Sequence, residues 1–178
     1  NLCRKAGIKV KIITGDYRGT AEKVATSLGL PVGPSQVLDG KQLEAMSEAQ
    51  LAAVIEDIVI FYRVAPGQKL RIVSALQSHK EVVAMIGDGV NDAPALKKSN
   101  IGVSVGNATD VAQETASLIL MDNNFATLVN TVEEGRVIFE NIKKVIAYVL
   151  SDSFAEIFTM FGAMILGWPA PLSVVQIL

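Results

Sequence analysis

Three oxygen-bearing side chains, Asp88, Asn91 and Asp92, follow an apolar run in Val82-Val83-Ala84-Met85-Ile86-Gly87-Asp88-Gly89-Val90-Asn91-Asp92. The run predicts a buried strand, and Gly-Asp-Gly predicts a tight turn at its end. Carboxylates at the carboxyl edge of a strand sit where α/β folds keep their ligands. Hard oxygen donors there suit Mg²⁺, which shares them with a substrate phosphate. Asp88, between two glycines, is the expected direct Mg²⁺ ligand. Asp92 is expected to complete the metal site by orienting a metal-bound water or a backbone amide. It also stands where it could N-cap a helix opened by Ala93 and Pro94. Asn91 can donate to a phosphoryl oxygen.

Lys69 follows the Pro66-Gly67 turn and opens a helix, where an ammonium beside the positive helix end can meet a phosphate. Thr14-Gly15-Asp16 closes a strand expected at Lys9–Thr14, and Arg63 follows one at Val59–Tyr62. Downstream, Asp152 and Glu156 share a helix face with Tyr148 and Thr159. They are the only charged residues between Val145 and Leu178. Acids in such an apolar span mark ion paths.

These residues need elements to hold them. Helices are expected at Gly19–Leu28, Leu43–Ile55, Gly67–Ser78, Ala93–Lys98 and Asp110–Ala116, with Ser47 a candidate N-cap. Further strands are expected at Val82–Ile86, Ile101–Val105 and Leu118–Met121, and a loop at Pro31–Gly40. The alternation predicts an α/β fold, a mostly parallel sheet with helices on both faces. From Ala126 to Gly167 no proline occurs, and the segment is charged first and apolar later. As a helix, residues 142–167 are about 39 Å long, enough to cross a bilayer. Arg136, Lys143 and Lys144 precede the span and put that end on the cytoplasmic side. Trp168 would lie at the far interface, and Leu172–Leu178 would begin a returning helix. The expected division is an α/β domain over 1–124, a cytoplasmic stalk helix over 125–141, a transmembrane helix over 142–167, and a loop with the next helix start over 168–178.

The chain has 178 residues, 50% of them hydrophobic, and a formal net charge of −2. That suits about one soluble domain and argues against a nucleic-acid partner. The lone Cys3 rules out an internal disulfide and fits a reducing compartment. The chain opens inside an apparent helix and stops in an apolar run, as expected of a piece of a larger protein.

Gly87–Lys98, reading Gly-Asp-Gly-Val-Asn-Asp-Ala-Pro-Ala-Leu-Lys-Lys, resembles the hinge motif of the P-type ATPases. These pumps move cations across membranes through an aspartyl-phosphate. Lys11–Asp16 resembles the family's Thr-Gly-Asp motif, and Phe61–Lys69 the segment carrying its phosphate-contacting lysine. Asp122–Phe125 with Val132–Arg136 resembles the junction into the fifth membrane helix. The motifs run in family order over essentially the whole chain, and the Glu-Glu-Gly-Arg junction is similar to the calcium-pump and sodium/potassium-pump branch.

The resemblance implies a haloacid-dehalogenase-like, Rossmann-like phosphorylation domain that uses ATP and Mg²⁺. It implies Lys69 on the transferred phosphate, with Asp16 and Asp92 beside it in the catalytic set. It places Thr14, Gly15 and Asp16 by the phosphorylated aspartate and nucleotide phosphates, and Arg63 near the nucleotide. Glu156 matches a cation-binding glutamate of the fifth membrane helix. Ser153 stands where these pumps usually carry asparagine, and Asp152 replaces a small neutral residue. Calcium is the first expectation, with a proton or a monovalent cation as the alternative. The implied partners are membrane lipid, the transported cation, and the nucleotide-binding, actuator and remaining membrane parts of the pump.

The family's nucleophile is an aspartate in an Asp-Lys-Thr-Gly-Thr motif, which does not occur in this sequence. The chain alone is therefore expected neither to form a phosphoenzyme nor to hydrolyse ATP. Two other readings stand beside this one. One is a soluble Mg²⁺-dependent phosphatase of the same haloacid-dehalogenase-like superfamily. The other is a non-catalytic, membrane-tethered module that holds Mg²⁺-phosphate.

Overall fold

The computed structural model describes residues 2–122, 124–169 and 171. The expected returning helix at Leu172–Leu178 and residue Asn123 of the junction lie outside the described residues. The chain divides into two compact units, Asn1–Val129 and Asn130–Leu178.

In the first unit six strands are paired, all in parallel: β1 (Ile12–Ile13), β2 (Val37–Asp39), β3 (Ile60–Tyr62), β4 (Ala84–Ile86), β5 (Ile101–Val105) and β6 (Leu118–Leu120). Parallel neighbours need long crossovers, and helices supply them. In chain order the helices are α1 (Leu2–Lys5), α2 (Arg18–Ser27), α3 (Gly40–Ala45), α4 (Glu48–Val54), α5 (Pro66–Ser78), α6 (Ala93–Lys98) and α7 (Asp110–Thr115). The pairing forms two three-stranded sheets, ordered β1-β3-β2 and β4-β5-β6.

Helix α5 serves both sheets. Its Ile72 joins Phe61, Leu43, Leu51 and Ile55 in one apolar cluster. Its Val73 joins Met85, Leu96 and Ala112 in another, and Ile13 of β1 packs against both. The strands are short, but Ile60, Phe61 and Val103 are fully buried. Each such side chain contributes about 1.5–3 kcal/mol of transfer free energy. That burial fixes register despite the few ladder bonds.

Two expectations are corrected here. The loop expected at Pro31–Gly40 contains β2. Its apolar run is only Val37-Leu38, too short to stand out, but Leu38 is buried and pairs opposite Phe61. The helix expected over Leu43–Ile55 is two helices, α3 and α4. Ser47 ends the continuity because it caps α4. Its Oγ accepts from the Gln50 amide at 3.3 Å, and Gln50 Oε1 accepts from the Ser47 amide at 2.8 Å.

Helix α8 (Phe125–Leu166) starts in the first unit and continues into the second. Asp122 ties down its start. One carboxylate oxygen accepts from Thr127 Oγ1 at 2.5 Å and the other from the Asn124 amide at 3.1 Å. The Thr127 hydroxyl, then the Asn124 amide, hold this carboxyl below its ordinary range. Its contribution is therefore present above the unfolded pKa and is lost as pH falls through the folded value. Asp122→Ala is expected to speed amide exchange in the first turn of α8 while leaving the β3 and β5 amides unchanged. Unaltered exchange in that turn would remove the anchoring role.

In the second unit the apolar side chains face outward. Val145, Val149, Phe154, Phe158, Phe161 and Ile165 are each more than half exposed. Only 6% of the most apolar stretch of α8 is buried, and the helix is long and apolar enough to cross a membrane. A core helix of a soluble domain would bury that stripe instead.

Candidate functional site

The carboxyl ends of β1, β3 and β4 open into the loops that carry the expected residues. After β1 comes Thr14-Gly15-Asp16, after β3 Arg63, and after β4 Gly87-Asp88-Gly89 with a 3₁₀ turn at Val90–Asp92. The first two loops are strapped together. The Val64 amide donates to Thr14 O and the Arg63 amide to Asp16 O, both at 3.0 Å. Thr14 Oγ1 accepts from the Asp16 amide at 3.1 Å, which curls the loop back on itself. The β4 loop is pinned separately, by the Thr109 amide donating to Asp88 O at 2.9 Å.

Lys69 and Asp92 meet. The Lys69 ammonium donates to Asp92 Oδ1 at 2.5 Å, and the two side chains are only 15% and 10% exposed. The other Asp92 oxygen accepts from the Gly89 amide at 3.4 Å. Asp92 stands at the N-cap position of α6 but makes no side-chain cap bond. The capping expectation is therefore corrected: the carboxylate is turned to Lys69 and to the Gly89 amide. Asp88 and Asn91 are exposed at the rim.

The reason for the glycines also changes. Gly89 has φ −109, and the positive-φ glycines of the described residues are Gly7, Gly29 and Gly167. The Gly-Asp-Gly turn thus needs no left-handed backbone. Gly87 is required for room, since a Cβ there would lie 2.5 Å from Asp92 Cβ and 2.8 Å from Asp92 Cγ.

Among the described residues no three or more His, Cys, Asp or Glu gather to hold a metal. Mg²⁺ does not require such a cluster, since it takes one or two carboxylates and keeps water and phosphate oxygens. Asp88 has the exposure such a ligand needs.

Two residues at this edge were not anticipated. The Arg63 guanidinium lies 4.8 Å from the Tyr17 ring centre and 3.8 Å from Asp39 Oδ2. Asp39 is the N-cap of α3, accepting from the Lys41 amide at 2.9 Å. The signal for it lay in the capping pattern Asp39-Gly40-Lys41-Gln42, whose first two residues were expected in the Pro31–Gly40 loop. In the second unit, exposed Asp152 and Ser153 and half-buried Glu156 stand on α8, and Thr159 Oγ1 donates to Ala155 O at 2.7 Å.

The sequence and the fold are similar to those of known proteins. The chain is 50% identical to the calcium-transporting ATPase of Bacillus subtilis over 99% of its own length and 20% of that protein. It is 45% identical to calcium-transporting ATPase 1 of Lactococcus lactis, over 98% of its length and 20% of that protein. It thus spans about a fifth of the length of the curated relatives it matches. A crystal structure of a zinc-transporting PIB-type ATPase superposes with a TM-score of 0.69 at 29% identity, covering 90% of this chain and 22% of that one. A family model matches residues 1–100, which hold every loop of the Lys69–Asp92 site. By that match the chain belongs to the haloacid dehalogenase-like hydrolases.

Proposed function

We propose that this chain is part of an ATP-driven cation pump working through an aspartyl-phosphate, with calcium as the transported ion. One observation carries the reading. A single chain joins a strand-edge site built on Lys69 and Asp92 to a helix with outward apolar side chains and two acids one turn apart. A soluble phosphatase has no use for such a helix. Residues 1–124 belong to the phosphorylation domain, 125–141 form a cytoplasmic stalk, and 142–167 span the membrane.

At the strand edge the work is positioning and charge neutralisation. Lys69 neutralises the transferred phosphoryl group, and Asp92 keeps its ammonium on station. Asn91 donates to a phosphoryl oxygen, and the Thr14–Asp16 loop lines the approach. Asp88 holds Mg²⁺, which supplies charge stabilisation at the phosphate when bound. The reacting carboxylate comes from another part of the pump. Among the described residues β1 pairs only with β3 and β4 only with β5, so each has an edge to offer a further parallel strand.

In the membrane, Glu156 and Asp152 supply carboxylate oxygens and Ser153 a hydroxyl, a donor set suited to calcium. The calcium-transporting relatives support that choice of ion. ATP-driven uptake of radiolabelled calcium into inside-out vesicles bearing the full-length pump tests the reading. Glu156→Gln is expected to weaken apparent calcium affinity about tenfold, because ligand charge sets affinity in calcium sites. Unchanged affinity would remove Glu156 from the ion site. ATP-driven uptake of another cation in place of calcium would overturn the choice of ion.

A further inference from the structure

We propose that Tyr17 and Asp39 are positioning residues that hold the Arg63 guanidinium over the carboxyl edge of the β1-β3-β2 sheet, where it meets the nucleotide. The inference rests on the reading of Arg63 as a nucleotide contact and extends it to two residues with no assigned role.

The backbone supports a fixed side chain. Arg63 has φ 53, one of two positive-φ non-glycine residues among those described. That left-handed conformation costs energy and persists where surroundings enforce it. Several groups enforce it here. The Arg63 amide donates to Asp16 O at 3.0 Å, tying it to the Thr14–Asp16 loop. Gly40 abuts the Arg63 carbonyl so closely that a Cβ there would overlap it. Gln68 Nε2, from a buried side chain, donates to Gly40 O at 2.9 Å and closes the packing from behind.

Beyond the backbone, the guanidinium is held on two sides. The Tyr17 ring lies 4.8 Å away, within range of a cation–π contact. Asp39 Oδ2 lies 3.8 Å from Nη1. Asp39 is itself fixed by the Lys41 amide, which donates to its Oδ1 at 2.9 Å. Arg63 keeps 46% of its side chain exposed while Asp39 keeps 16%. The Arg63 side chain is thus held by Tyr17 and Asp39 and still accessible to a ligand. Tyr17, 70% exposed, is a large aromatic with little packing of its own to explain it.

The test uses the full-length pump and separates ATP-driven phosphorylation from phosphorylation by inorganic phosphate, which needs no nucleotide. Tyr17→Ala is expected to raise KM for ATP about three- to fivefold, the effect of one exposed cation–π contact, with kcat changed less than twofold. Phosphorylation by inorganic phosphate should stay at the parent level, and Tyr17→Phe, which keeps the ring, should restore KM. In an Arg63→Ala background, Tyr17→Ala should add nothing. Asp39→Asn should raise KM in the same direction, again only when Arg63 is present. Additive effects of the two alanine changes, or equal loss of both phosphorylation reactions, would overturn the positioning role. If Arg63→Ala itself leaves KM for ATP unchanged, the nucleotide reading of Arg63 falls, and this proposal with it. If Arg63→Ala raises KM and Tyr17→Ala does not, only the positioning role falls.

Discussion

Lys69→Ala in the full-length pump is expected to lower ATP-driven phosphoenzyme formation about 100- to 1,000-fold, the usual cost of removing a preorganised charge from a phosphoryl- or oxyanion-stabilising site. Proximity to Asp92 makes a second effect separable from the first. The Asp92 side chain is 10% exposed and its Oδ1 receives the Lys69 ammonium at 2.5 Å. Removing the lysine strands a largely desolvated carboxylate, which destabilises the fold by up to about 3 kcal/mol. A double variant decides which effect is which. Lys69→Ala with Asp92→Ala removes both charges, so thermal stability should recover most of the loss. Phosphoenzyme formation should not recover, because the phosphoryl group still lacks its cation. Recovery of both would reduce Lys69 to a structural counter-charge. Lys69→Arg tests geometry: it keeps charge but presents a planar fork in place of a compact ammonium. Activity between parent and alanine is the expected result.

Much of the fold was legible because its signals are local. The Pro-Gly start of α5 and the apolar runs of β3 and β5 each predict an element within a residue or two. What was misread had weak local signal or depended on distant chain. Strand β2 has two apolar residues and exists because Phe61 and Ile60 offer a buried edge, more than twenty positions later. The Ser47 cap was visible, but the periodicity on either side hid its consequence, two helices in place of one. In the site, residue types and loops were legible, yet the partnership was not. Lys69 and Asp92 are 23 positions apart, and only the packing of α5 across both sheets brings them together. The Tyr17–Arg63–Asp39 contact draws on three separate stretches of chain; only Asp39 carried a local signal, its capping pattern, and that pointed to a helix start and not to Arg63.

Gly87→Ala tests the site without altering any charge. A methyl group there would lie 2.5 Å from Asp92 Cβ, 2.8 Å from Cγ and 2.9 Å from Oδ2. Cβ hangs on the backbone, so rotation of the carboxylate cannot relieve the overlap. Gly87 cannot simply retreat, since its amide donates to Val103 O at 3.1 Å in line with the β4–β5 ladder. The 3₁₀ turn at Val90–Asp92 must shift instead, drawing Asp92 away from Lys69 and from the Gly89 amide. The overpacking itself costs about 1–3 kcal/mol. A displacement near 1 Å at a positioned group lowers rate by about 100-fold. Phosphoenzyme formation in Gly87→Ala should therefore fall about as far as in Lys69→Ala, although Lys69, Asp88 and Asp92 are all present. Gly89→Ala is the matched control. Its nearest neighbours, Asp92 Oδ2 at 3.8 Å and the Asn91 amide at 3.9 Å, are at ordinary contact distance, and its φ of −109 suits alanine. Gly89→Ala should keep most of the activity. If the two alanine variants behaved alike, the close approach of Gly87 to Asp92 would not be what holds the Lys69–Asp92 pair in place.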